Sequence, residues 1–227
     1  MYTPPAFKVQ HPALALAFAA ARGFGLVVSC DGGRPQASPV PFLIEERPGK
    51  SPRVSFHLAR ANPLAQVAEK GGTWLLAVQG ADAYVSAGWY ASADQVPTWL
   101  YESVHLSGPV AMVPAEHARA HLDALTARFE GGLAEPWTAD TVSPARLEQM
   151  MHAIVVIEML VETIEGKFKL NQNKIDADHV AVTSRLSAQD DPAAQAIAAR
   201  MVALRPHLMY QNPASRPAAA LAESGEV

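Results

Sequence analysis

Chemistry-bearing side chains concentrate in three short stretches of this 227-residue chain. The first, Glu165–Lys174, reads EGKFKLNQNK and directly follows the most apolar run, AIVVIEMLVETI. Lysine ammonium groups suit an anion, and amide side chains both donate and accept. Extended alternation puts Phe168, Leu170 and Gln172 on one face and Lys167, Lys169 and Asn171 on the other. The stretch reads either as a site for an anionic, hydrogen-bonding ligand or as a solvated strand end. The second, TWLYESVHL, sets Trp99, Tyr101, Ser103 and His105 on one face. Leu100, Val104 and Leu106 occupy the other, with Glu102 out of place among them. That polar aromatic face suits a planar ligand, or a mixed barrel wall with satisfied polar groups. In the third, FHLARANP, a strand carrying His57 runs into a short helix at Asn62-Pro63. Arg60 beside a helix start makes either an anion site or a solvated loop arginine.

The motifs that would name a reaction are missing. There is no GxGxxG and no GxxxxGK[ST], so a bound phosphate falls to side chains: Arg60, Lys167, Lys169 and Lys174. VSAGWY lacks the GxSxG elbow, and no catalytic residue is assigned. No Cys/His cluster has zinc spacing, and no metal is expected. The single cysteine, Cys30, rules out an internal disulfide and fits a cytoplasmic location. A net charge of -4 argues against a protein that binds nucleic acid through its whole surface. The alanine-rich N-terminal run is interrupted at His11-Pro12 and too short to span a bilayer, so neither a signal peptide nor a membrane association is expected.

The elements that must position these residues are mostly strands. Pro12–Arg22 reads as a helix ending at Gly23. Two β-rich runs flank Asp31-Gly32-Gly33, a hairpin signal. RVSFHLAR is a third strand, and NPLAQVAEKGG a short helix. TWLLAVQGADAYVSAGWY is one long strand, or two broken near Gly80. Another strand ends in GPVAMV, with Gly108-Pro109 as a bulge or edge. Pro114–Glu130 reads as a helix with Ala118, Leu122, Leu125 and Phe129 as its stripe. Residues 154–164 fit helix or strand, β-branching favouring strand. A last helix from Asp191-Pro192 presents Ile197, Met201, Leu204 and Leu208. This argues for the α+β class, an antiparallel β-barrel with attached helices. Residues 1–175 form the barrel domain, 176–210 a helical segment packed on it, and 211–227 a flexible tail.

MYTPPAFK, HLARANP, VPTWLYESVHLSG and IEGKFKLNQNK, in this order over residues 1 to about 175, resemble the PaiB family of FMN-binding negative transcriptional regulators. The resemblance implies a split β-barrel similar to pyridoxamine phosphate oxidase, a homodimer, and FMN as cofactor. It would assign flavin contacts to His57, Arg60, Asn62, Trp99, Tyr101, His105, Lys167, Lys169, Gln172 and Asn173. Arg60 would meet the phosphate, Trp99 the ring, and Gln172 and Asn173 its polar edge. The chain departs from the family pattern at Pro39, Gly88, Leu100 and Asn171. The family implies transcriptional regulation, direct or indirect, and a flavin supplies redox chemistry without a catalytic side chain. No basic recognition helix supports DNA as a partner. The alternative function is haem handling, with His57 and His105 as ligands.

Overall fold

The computed structural model describes residues 1–210. The tail expected at 211–227 lies outside the described residues.

Helix α1 (Pro12–Arg22) opens with proline in its first turn and closes on Gly23 in the left-handed region, φ 61°. Strands β1 (Phe24–Asp31) and β2 (Arg34–Arg47) form a hairpin whose two turn residues, Gly32 and Gly33, both have positive φ. That is the turn matching the strand twist. Next come β3 (Lys50–Ala59), α2 (Pro63–Glu69) and β4 (Thr73–Val85), which runs unbroken past Gly80. Strand β5 (Thr98–Met112) leads to α3 (Ala118–Glu130) and α4 (Pro144–His152). The ambiguous segment resolves as β6 (Ile154–Leu160), with β7 (Thr163–Lys169) following. Helices α5 (Asp176–Ser187) and α6 (Pro192–Leu204) end the described chain.

The strand order is β4-β1-β2-β3-β6-β5-β7, with a further β4–β5 pairing. That pairing closes six strands into a circuit and leaves β7 on β5. Every ladder with a resolved register is antiparallel. The fold is α+β, as expected.

Three local expectations change. The helix expected from Pro114 starts at Ala118, after a single 3-10 turn over Ala115–His117. Gly108-Pro109 lies inside β5, which has β6 on one side and β7 on the other, so it is not an edge. Gly108 is buried within β5, where a Cβ would stand 1.7 Å from the Leu160 carbonyl oxygen. The last helix ends at Leu204, which is exposed, so Leu208 lies beyond it and Ile197 and Met201 are the buried members of the expected stripe.

The chain divides into two compact units, with β4, β5 and β7 running through both. The larger comprises Met1–Thr3, Lys8–Gly80 and Ser103–Lys167. Its core includes Phe42, Val54, Phe56, Trp74, Leu106, Ile157 and Met159, with the Phe56 and Trp74 rings 6.2 Å apart. The second comprises Pro4–Phe7, Ala81–Glu102 and Phe168 onward. Val85, Leu100, Leu170, Val182, Leu186, Ile197 and Met201 fill it.

Candidate functional site

In the larger unit, β3 points its inward residues Val54, Phe56 and Leu58 into the core and leaves His57 on the opposite face. There His57 Nδ1 lies 3.2 Å from Nε2 of His121 on α3, with the rings edge to face. His121 is buried, and its own Nδ1 has no partner among the described residues. Burial first, and His57 second, lower the His121 pKa to about 4, and burial also lowers that of His57. Both imidazoles are therefore neutral at neutral pH, and the N–H of one ring donates to the bare nitrogen of the other.

Arg60 sits one residue beyond β3. Its Nε donates to His152 O at 2.9 Å and its Nη2 to Ile154 O at 3.0 Å, tying β3 to the α4–β6 junction. The guanidinium remains exposed, with Nη1 outside these bonds. Asn62 caps α2, its Oδ1 accepting from Leu64 N at 3.0 Å while its Nδ2 donates to Ser38 Oγ at 3.2 Å. The Met1 amine donates to Glu165 Oε1 at 2.7 Å, and Lys167 lies over the Tyr2 ring. Half-buried His105 feels the same charges. Burial and the α-amino group lower its pKa, and Glu165 opposes them.

In the second unit, Trp99 and Tyr84 form an edge-to-face pair with centroids 5.9 Å apart, and both rings are about half exposed. Tyr101 is half-buried on the same strand, as alternation requires. Lys169 donates to Thr98 Oγ1 and lies over the Phe7 ring. Gln172 closes the turn it sits in, accepting from Leu170 N at 2.7 Å and donating to Phe168 O. The expected alternation stops here. Strand β7 ends at Lys169, and Asn171, at φ 61°, is buried beside Tyr90. Asn173 is exposed. Lys174 donates to Gln95 Oε1 at 2.6 Å and lies over the Tyr90 ring.

Sequence reasoning missed the roles of four residues. His121 lies three residues after Ala118 and four before Leu125, so helical spacing already placed it on the buried stripe. Asp178 accepts from Ser92 N at 2.8 Å and Ser92 Oγ at 2.7 Å, a contact between distant segments that no spacing shows. Arg205 donates to the carbonyls of Gln172 and Lys174 and to Asp176. Glu102, flagged as out of place, is buried because Arg200 meets it.

Each unit holds groups that suit a flavin in kind: the second offers the exposed Trp99 indole as a stacking face and Lys169 as a cation, and the larger offers Arg60 and Lys167 as cations for a phosphate. Among the described residues no group of three or more His, Cys, Asp or Glu could hold a metal ion.

The family described as "Putative FMN-binding domain" matches residues 1–163. The Bacillus subtilis (strain 168) "Protease synthase and sporulation protein PAI 2" is 31% identical over 201 residues, covering 88% of this chain and 96% of that protein. Among solved structures, the FAD and heme binding protein from Mycobacterium smegmatis superposes with a TM-score of 0.54 at 20% identity, over 71% of this chain and 73% of that one. The flavocytochrome Anf3 from Azotobacter vinelandii does so with a TM-score of 0.53 at 20% identity, over 84% and 75%. At that identity the likeness is one of fold, and with the closed antiparallel circuit it identifies a split β-barrel. The chain belongs to the FMN-binding domain family of the PaiB type.

Proposed function

We propose that this protein binds FMN as a homodimer and that flavin occupancy governs a regulatory role. The observation that carries the reading is the family match over residues 1–163. In the second unit, the exposed Trp99 indole, braced by Tyr84, is assigned to the isoalloxazine ring, with Tyr101, Lys169 and Asn173 as further contacts. In the larger unit, Arg60 is assigned to the phosphate, with Lys167 as a second cation. Gln172, Asn62 and His105 act indirectly, by holding the backbone and charges around them. When bound, the flavin supplies hydride or electron transfer, and the chain's own residues bind and orient it. Exposed Phe24 and Leu26 on β1 give a second copy an apolar surface.

Regulation is assigned as indirect. Arg200 in α6 and Arg205 just after it are committed to Glu102 and Asp176 rather than presented to DNA phosphates. The single-cysteine composition supports a cytoplasmic setting. Among the described residues no helix is long and apolar enough to cross a membrane.

A second reading, haem handling, draws on one observation. His57 has its Nδ1 fixed by His121, the kind of bond that orients a metal-ligating histidine. A Soret band on haem addition that is lost in His57→Ala would support it.

The test is an FMN titration followed by flavin fluorescence, with light scattering for the mass. Saturable binding to a dimer, weakened in Trp99→Ala by at least about 1 kcal/mol, is expected. Folded protein that does not bind FMN overturns the reading.

A further inference from the structure

We propose that the cleft between α3 and residues 136–140 is a binding site for a small organic cation, an amine or guanidine on a short apolar body. The cleft lies wholly in the larger unit and has a volume of about 400 Å³. That is within the usual range for a small-molecule site.

One face of α3 forms its floor. Arg119, Asp123, Ala127 and Glu130 recur at helical spacing and line it, facing Trp137 and Asp140. Two ties hold the facing segment in place. At one end, Arg119 Nη2 donates to Asp140 Oδ1 at 2.8 Å. At the other, Trp137 N donates to Glu130 Oε2 at 2.9 Å. Glu130 lies eleven residues beyond Arg119, so the ends are roughly 16 Å apart along the helix. The segment is pinned at both ends with a cavity remaining between.

The chemistry of the walls selects the ligand. Arg119 is already paired, because its Nε donates to both oxygens of Asp123 at 2.8 Å while Nη2 serves Asp140. One cation against three carboxylates leaves the cleft net negative, which rejects anions such as a flavin phosphate. Glu130 and Asp140 each commit one oxygen to a tie. Their other oxygens can accept from an ammonium or guanidinium. The Trp137 indole, 42% exposed, lines the same space and attracts a cation to its face. Ala127, Pro136 and Ala139 provide the apolar wall for the ligand's body.

The experiment compares n-pentylamine with n-pentanol on the full chain by calorimetric titration at neutral pH. The two probes share a body and differ in charge. Saturable amine binding is expected, at least about tenfold tighter than the alcohol. Glu130→Gln preserves an acceptor for the Trp137 amide but removes the charge, and should weaken the amine about tenfold with little effect on the alcohol. Trp137→Leu should weaken it similarly. Asp82→Asn, an exposed carboxylate in the other unit, should leave it unchanged. Circular dichroism confirms folding, and if Trp137→Leu does not fold, Glu130→Gln carries the test. Equal affinity for amine and alcohol, no saturable amine binding, or unchanged binding in folded Glu130→Gln overturns the proposal. An FMN titration in saturating amine is expected to be unaffected, so this site and the flavin reading fail separately.

Discussion

Oε1 of Glu102 accepts from Nε of Arg200 at 2.8 Å and lies 2.8 Å from its Nη2. The Glu102 side chain is 4% exposed and the Arg200 side chain 47%. The asymmetry matters because removing the partner of a buried charge leaves that charge uncompensated. Arg200→Ala should destabilise the protein by about 2–3 kcal/mol, somewhat below the fully buried case because water reaches the arginine side. Glu102→Leu with Arg200→Leu should recover most of that loss. Urea unfolding of both variants checks it, and a double variant no more stable than Arg200→Ala would contradict the account.

The burial of His121, with His57 beside it, makes stability depend on pH. The pKa of His121 in the folded protein, about 4, lies below its ordinary value of 6.5, so the unfolded chain binds the proton more readily. Stability is then fully present above pH 6.5 and falls as pH drops toward 4. The loss should reach up to about 3 kcal/mol. His121→Leu should flatten the dependence in that window, even if it shifts stability at neutral pH. Thermal unfolding between pH 4 and 7 measures this, and an unchanged slope in the variant would remove His121 as the cause.

Gly108 meets a harder limit. An added Cβ would be 1.7 Å from Leu160 O and 2.9 Å from its carbonyl carbon, and backbone atoms cannot turn aside. Gly108→Ala should cost more than about 3 kcal/mol or prevent folding. Gly33→Ala has nothing within 4 Å of the new carbon and faces only the strain of φ 82°. It should cost about 1–2 kcal/mol. Similar unfolding midpoints for the two would show that β5 and Leu160 separate easily.

Where each residue's role depends on neighbours in the chain, sequence was enough to read it. Gly32-Gly33, Pro12 with Gly23, and the alternation of Leu100, Val104 and Leu106 each follow from local geometry. What sequence could not show is pairing across distance. Glu102 breaks the alternation until Arg200, 98 residues away, supplies its charge. Gln172 reads as a ligand contact until its amide is found closing its own turn. Gly108-Pro109 reads as a bulge or edge because only the fold brings Leu160 against Gly108. Helical spacing sets His121 on the face of Ala118 and Leu125, although the expected stripe left it out. Its importance still depends on His57, 64 residues away.

Arg60 joins a structural duty to its assigned one, and the two separate experimentally. Its bonds to His152 O and Ile154 O mean that Arg60→Ala should lower stability by roughly 1–2 kcal/mol with or without flavin. That loss weakens FMN and riboflavin alike, because it acts on the protein and not on the ligand. A phosphate contact adds a further loss of roughly 1.5–3 kcal/mol, felt only by FMN. The ratio of the two affinities in Arg60→Ala and in the parent protein therefore isolates the phosphate contact. A ratio that shifts by tenfold or more against FMN assigns the phosphate to Arg60. An unchanged ratio reduces Arg60 to a clamp between β3 and β6 and moves the phosphate to the lysines.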